Sequence, residues 1–402
     1  MTETKADGAI LWALGTTQII GYGTLYYAFS IMAADIARDL GWSLEWVFGA
    51  FSAALLLGGL IAPISGAWVD RFGAGRVMTA GSVAAALSLG AMSLAPDRLS
   101  FFLALILIEA VSTLVTYDSA FAGLTQLSPQ GARRAINRIT LLGGFASTLF
   151  WPLTAALLEV MSWRDIHLVY AGLHLFLCVP LHLLLARRLR SLRGGEEARA
   201  APPAEVAASL APGLQRRAFL LLVVGFSAGS VVLSAVLVHM VPVLAALELG
   251  PAALLVGSFF GPAQVFSRLI NMGFGQQLSP MRLAVISAGL LPAAIILLLL
   301  TAPWLPAALL FALLFGLGSG LVSIVRGTVP LALFGSQGYG ALLGRITAIR
   351  LVLTAGAPFA FALLLERLGP VPALWAMVAV GLAGLAALGV LLRLAERAAP
   401  PA

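Results

Sequence analysis

Residues Gly66–Arg76, GAWVDRFGAGR, set Asp70, Arg71 and Arg76 in a glycine-rich turn between two long apolar runs, Phe48 to Trp68 and Val77 to Ala95. A charged side chain at the centre of a bilayer costs at least ~2.5 kcal/mol on the most lenient scale. The turn therefore marks a membrane surface, where one span ends and the next begins.

The rest of the chain reads the same way. Sixty percent of its 402 residues are hydrophobic and only 10% are charged, far more apolar than the ~45–50% of a soluble domain. The mean hydropathy is +1.01. A helix needs ~20 apolar residues to cross the hydrocarbon, and windows of that length predict twelve spans: 10–34, 45–68, 77–95, 99–123, 138–160, 166–186, 217–246, 252–274, 283–300, 305–330, 341–366 and 371–393. The apolar stretches show no two-residue alternation, which argues against a β-barrel. The predicted class is an all-α membrane protein.

Cys178 is the single cysteine and lies in the sixth span, so no internal disulfide, metal cluster or metal cofactor is expected. The N-terminal MTETKADGAI leads into a span too long for a signal-peptide core and shows no small-residue cleavage site, so 10–34 is expected to be retained as a helix. There is no glycine-rich nucleotide loop with a lysine, and no clustering of nucleophile, base or metal ligands that an enzyme would need.

The net charge of +7 follows topology, not nucleic acid. With an even number of spans both termini share one side, and that side takes sixteen of the 24 Lys and Arg, against four (Arg38, Arg98, Arg164 and Arg367) on the other. Positive residues collect on the cytoplasmic side, so both termini are expected there, in an inner membrane. Arg268, Arg326, Arg345 and Arg350 lie in or near spans.

Residues 187–216, rich in Arg, Ala, Pro and Gly, read as a cytoplasmic, partly disordered linker between an N-terminal six-helix bundle, 1–186, and a C-terminal one, 217–402. The halves echo each other. Arg138-Ile139-Thr140 and Arg345-Ile346-Thr347 stand 207 positions apart, and Arg282, in GQQLSPMR, answers Arg76 at an offset of 206. Two pairs at nearly one offset point to a duplicated unit, the plan of many secondary transporters with a substrate site between the halves.

With these features the chain resembles the major facilitator superfamily over essentially its full length. Gly66, Asp70, Arg71 and Gly73 match the superfamily's Gly-x-x-x-Asp-Arg/Lys-x-Gly signature, while Ala74 and Gly75 depart from it by delaying the basic residue to Arg76. The resemblance implies a gate in which Asp70 accepts hydrogen bonds at the start of the eleventh helix and Arg76 or Arg71 pairs with Asp118, at the cytoplasmic end of the fourth; the alternative is that Arg71 and Arg76 anchor the turn at lipid headgroups. The fourth helix lacks the arginine of sugar and drug carriers. The fifth lacks the Gly-Pro-x-x-Gly-Gly pattern of drug/proton antiporters.

Gln18, Tyr22 and Tyr26, spaced four apart on the first helix, should share one face and either line a cavity or serve as interface and packing residues. GYGTLYYAF is similar to first helices of the monocarboxylate and oxalate/formate branch. Arg268, with Gln264 one turn before it, resembles the arginine that monocarboxylate-type carriers keep on the eighth helix for the substrate carboxylate; a place in the inner gate is the open alternative. Glu109, near the midplane of the fourth span, and His239 on the seventh are proton-coupling candidates, each with a purely hydrogen-bonding alternative. Arg350 either faces the cavity or pairs with an acid. The expected function is secondary-active transport of a small organic anion, monocarboxylate-like, by a lipid-embedded monomer; the alternative is efflux of a toxic or amphipathic compound.

Overall fold

The computed structural model of the chain describes residues 5–196, 206 and 210–398. Among the described residues the regular structure is helical, without strands. Lipid offers no partners to backbone amides and carbonyls, so spanning segments must satisfy them internally. Eleven helices are long and apolar enough to cross a membrane: α1 (Gly8–Leu40), α2 (Leu44–Phe72), α4 (Arg98–Leu127), α5 (Ala132–Leu158), α6 (Trp163–Leu192), α7 (Pro212–Val238), α8 (Ala252–Gly273), α9 (Pro280–Thr301), α10 (Leu305–Phe334), α11 (Tyr339–Leu368) and α12 (Pro370–Arg397). The twelfth long segment, α3 (Ala74–Ser93), has 20 residues, and ~1.5 Å per residue gives it the ~30 Å of the hydrocarbon. Arg76 and several Gly, Ser and Thr residues dilute its hydropathy. A shorter apolar helix, Met240–Leu249, follows α7.

The expected spans recur, most of them with longer ends; α3, α5, α7 and α8 stop one to eight residues short of the expected carboxyl ends, and the seventh expected span, 217–246, breaks at His239. The helix that closes α6 runs to Glu196, so the first ten residues of the expected linker are helical, built from Leu and Arg, which favour helix. Residues 197–205 and 207–209 of that linker lie outside the described residues. Val206 lies inside them and exchanges backbone and side-chain bonds with Ser336, Ser336 N to Val206 O at 3.0 Å and Val206 N to Ser336 Oγ at 3.2 Å.

Contacts divide the chain into two compact units, Met1–Val206 with Ser336–Ala348, and Ala207–Gly335 with Ile349–Ala402. The first ten residues of α11 thus belong to the first unit. Its core packs Met32, Ile36, Leu89, Phe101 and Tyr170; the second packs Ile295, Phe311, Phe315, Phe361 and Leu374.

Several spans are interrupted, and the interruptions position the polar groups. A π-helical turn covers Gly23–Tyr27 in α1, and another covers His174–Cys178 in α6. The two turns are joined: Thr24 gives its hydroxyl proton to Ile20 O at 2.8 Å, so its oxygen accepts from His174 Nε2 at 2.9 Å. His182, two turns on, bonds Ser82 through Nδ1 and Thr17 through Nε2, at 2.8 and 3.0 Å. The helix α4 breaks at Thr116, whose backbone is extended (φ −89°, ψ −168°), into Arg98–Val115 and Tyr117–Leu127. At its start Asp97 caps the helix through the Ser100 amide, which holds the Asp97 carboxyl below the usual carboxylate range.

Candidate functional site

The signature turn is shaped by close backbone approach. Gly73 takes φ +88° between α2 and α3, a conformation that side-chained residues avoid. Gln126, at the end of α4, staples the turn from below: its amide donates to Val69 O at 3.0 Å and its carbonyl accepts from Ala74 N at 2.9 Å. The departure at Ala74 and Gly75 has a packing reason. Ala74 is fully buried, and a Cβ on Gly75 would stand 2.9 Å from the Ala186 Cβ of α6. Basic side chains do not fit there, so the cation moves outward to exposed Arg76.

Asp70 faces the first turn of α11. Its two carboxylate oxygens accept from Gly340 N at 3.0 Å and Ala341 N at 2.8 Å, amides that have no partner inside the helix and carry the positive end of its dipole. This contact lies within the first unit. It is possible because small residues meet: a Cβ on Gly66 would stand 2.6 Å from the Gly340 carbonyl carbon, one on Gly340 2.7 Å from Gly66 O, and one on Gly344 2.9 Å from the Ala62 carbonyl carbon. Ala62 and Gly66, like Gly340 and Gly344, are four residues apart, the spacing that lets two helices touch through small side chains.

Asp118 does not meet the arginines expected of it. It begins the second part of α4, nine residues before Leu127, about 14 Å inward from the turn at a helical rise. Thr347 Oγ1 of α11 donates to its Oδ2 at 2.6 Å. Arg71 instead lies over the Phe72 ring, 5.2 Å from its centroid. Between Asp118 and α2 sits a cavity of about 10 Å³, lined also by Ser65, Thr113, Ser119, Gly340 and Gly344.

The break in α4 leaves carbonyls that no helical amide reaches. Ser119 Oγ donates to Thr113 O at 3.0 Å, and Gln18 Nε2 donates to Val115 O at 2.9 Å. Gln18 is fully buried, so its amide holds the break. The expectation of one face for Gln18, Tyr22 and Tyr26 assumed a regular helix. The π-turn adds a residue to that cycle and brings Tyr27 toward Tyr22, with ring centroids 6.5 Å apart, while Tyr26 packs on Tyr27 and Phe51. Tyr22 also packs on Tyr117 at 4.6 Å, and Tyr26 remains 44% exposed.

Glu109 is buried against the close α2–α4 crossing, where a Cβ on Gly58 would stand 2.9 Å from the Glu109 Cβ. Its Oε1 makes no hydrogen bond.

In the second unit, Arg268 is 8% exposed and donates through Nε to Gly320 O of α10 at 3.3 Å. Gln264, one turn earlier, donates to Ser319 Oγ at 2.6 Å. Here too glycine sets the spacing: a Cβ on Gly316 would stand 2.6 Å from Phe260 O and one on Gly320 3.0 Å from the Gln264 carbonyl carbon. His239 sits at the end of α7, its Nδ1 donating to Ala235 O at 2.9 Å and its ring 5.3 Å from Phe361. Arg350 is half-buried on α11. Reading by residue type missed Gln126, Thr347, Ser65, Thr113 and Ser119; only the paired small residues at four-residue spacing offered a signal.

Known proteins agree with this architecture. The sequence profile of the Major Facilitator Superfamily matches residues 14–350. Human (Homo sapiens) monocarboxylate transporter 6 is 24% identical over 185 residues, 44% of this chain but only 35% of that relative's length. The crystal structure of the human organic anion transporter MFSD10 (TETRAN) superposes with a TM-score of 0.63 at 19% identity, covering 95% of this chain and 97% of that one. FucP in its outward conformation gives 0.67 at 14% identity, covering 97% and 99%. The proton:xylose symporter XylE bound to 6-bromo-6-deoxy-D-glucose gives 0.70 at 13%, covering 94% and 95%. At these identities the structural likeness is one of fold.

Proposed function

We propose, for a chain that belongs to the major facilitator superfamily and is a multi-pass membrane transporter rather than an enzyme, that the cargo is a small organic anion of the monocarboxylate kind, moved by alternating access. The observation that carries this reading is Arg268. A guanidinium within a span is expensive and functional by default; this one is buried, braced by a backbone carbonyl through Nε, and of the shape that grips a carboxylate with two parallel hydrogen bonds. Similarity to a monocarboxylate transporter over 44% of the chain supports the same class.

In this reading Gln264 orients Arg268 and Arg350 adds a second cation in the second unit; in the first unit Tyr22 and Tyr26 are the aromatic substrate-binding candidates, with Gln18 holding the broken α4 behind them. Glu109 is the proton-coupling candidate, because its Oε1 is buried without a hydrogen bond; His239 is the weaker one, since its Nδ1 is committed to Ala235 O. Gly66, Asp70, Arg71, Gly73, Arg76 and Asp118 form the gate, with Asp70 as its anion. The sixteen-to-four charge split supports cytoplasmic termini in an inner membrane.

Proteoliposome uptake of labelled short-chain carboxylates tests the assignment. Loss of a charge-assisted pair, ~1.5–3 kcal/mol, lowers uptake by Arg268→Ala roughly 10- to 100-fold. Undiminished carboxylate uptake in that variant sinks the anion site.

A further inference from the structure

The start of α3 and the end of α6 meet along a tight seam. A Cβ on Gly75 would stand 2.9 Å from the Ala186 Cβ, and Ser82 and His182 bond across the same seam at 2.8 Å. Position 75 faces 186 and 82 faces 182, so the two helices run antiparallel. Each residue of an α-helix turns about 100° from the one before. Viewed from one end, antiparallel partners wind in opposite senses, so the residues that follow a facing pair leave the seam on the same side. Arg76 follows Gly75 and Arg187 follows Ala186. Arg190, three positions after Arg187, returns to that side one turn nearer the helix end. All three side chains are exposed.

The same side continues as apolar surface. Ala80 and Val83 lie one and two turns beyond Arg76 on α3, and Leu183 lies one turn before Arg187 on α6; all three are exposed. In a membrane-spanning helix such side chains turn toward acyl chains. Acids do not offset the arginines: α3 has none, the one acid within Trp163–Leu192 is Asp165 at the far end of α6, and Asp70 of the adjoining turn is committed to the α11 amides. A basic pocket between spans at headgroup depth holds anionic lipid headgroups. A soluble phosphate would use the cations and leave the apolar groove empty. A zwitterionic headgroup brings an ammonium into a cluster that is already positive.

We propose that the α3–α6 seam binds one anionic phospholipid, its phosphate held by Arg76, Arg187 and Arg190 and an acyl chain lying on Ala80, Val83 and Leu183. The site goes beyond the anion-transport reading and uses none of its cargo residues. It also gives a use to the outward shift of the basic residue in the signature turn: at position 76, unlike 74 or 75, a guanidinium stands beside those of α6.

Native mass spectrometry of the full-length purified chain, delipidated in detergent and titrated with phosphatidylglycerol or with phosphatidylcholine of the same acyl chains, tests it. One phosphatidylglycerol should remain bound under activation that strips phosphatidylcholine. The double variant Arg187→Gln with Arg190→Gln, which leaves the signature turn untouched, should weaken that retention roughly 30-fold. Arg216→Gln with Arg217→Gln, an equal loss of exposed charge at the start of α7, should weaken it less than about threefold. Equal losses in the two doubles overturn the proposal and make the attraction diffuse, as does equal retention of the two lipids. Displacement of the lipid by an equal concentration of glycerol phosphate also overturns it and makes the ligand a soluble phosphate.

Discussion

Between α2 and α3 the Asp70 carboxylate accepts two backbone amides of α11, and glycines let the two helices touch; between α8 and α9 Arg282, the counterpart of Arg76, lies in an ion pair with Glu396 at 3.0 Å, both side chains at least half exposed. The first turn is defined by main chain against main chain. The second is defined by side chains that water can replace. The glycines of the two turns also differ: a Cβ on Gly66 would meet the backbone of Gly340, whereas one on Gly275 would meet the buried side-chain amide of Asn271. Backbone amides hold the first turn, and an exposed ion pair lies at the second.

Four substitutions would break or sharpen this contrast. The largest effect is expected from Gly66→Ala, because its methyl must displace the α11 backbone. Overpacking of this kind costs about 1–3 kcal/mol, and proteoliposome uptake should fall to background while the protein still elutes as a folded species. Near-normal uptake would mean that α2 and α11 need not touch. Asp70→Asn comes next: the amide keeps one acceptor oxygen of two and loses the charge facing the helix dipole, a loss of roughly 1–2 kcal/mol. A roughly tenfold fall in uptake with little change in Tm is expected, and equal falls in both quantities would make Asp70 a mere structural cap. Arg282→Ala removes an exposed pair worth ~0–1 kcal/mol, so uptake should change less than about twofold. Gly275→Ala should cost less than Gly66→Ala in thermal unfolding, because its methyl meets one buried side chain and not a backbone. If it matches Gly66→Ala, the two turns are alike and the contrast drawn here is wrong.

The membrane class and the helices were legible because hydropathy over twenty residues is a local sum. The ends were less so: Arg187–Glu196 reads as polar linker, yet helix propensity carries α6 through it once the charges have left the hydrocarbon. The approach of Asp70 to α11 was readable only through a family resemblance, since nothing at 66–76 itself names a partner 270 positions away. What stayed hidden depends on depth and register. The resemblance made Asp118 the arginines' partner, but the break at Thr116 sets it inward beside Thr347. Ser65, Thr113 and Ser119 are ordinary residues for an apolar helix. They meet at one cavity because α4 breaks at Thr116 beside α2, which no linear pattern records.

The two joined π-turns have a consequence for comparing this chain with others. Each of α1 and α6 carries one residue more than a regular helix of its length, and Thr24 and His174 bond across the two insertions. Deleting a single residue within 23–27 would restore the regular winding and turn everything on one side of the deletion by about 100° relative to the other. A gap-free alignment therefore places Tyr26 where Tyr27 belongs. Insertions and deletions in these helices should occur in pairs across relatives, one in α1 matched by one in α6, and such paired gaps would mark the lineages that kept the joint.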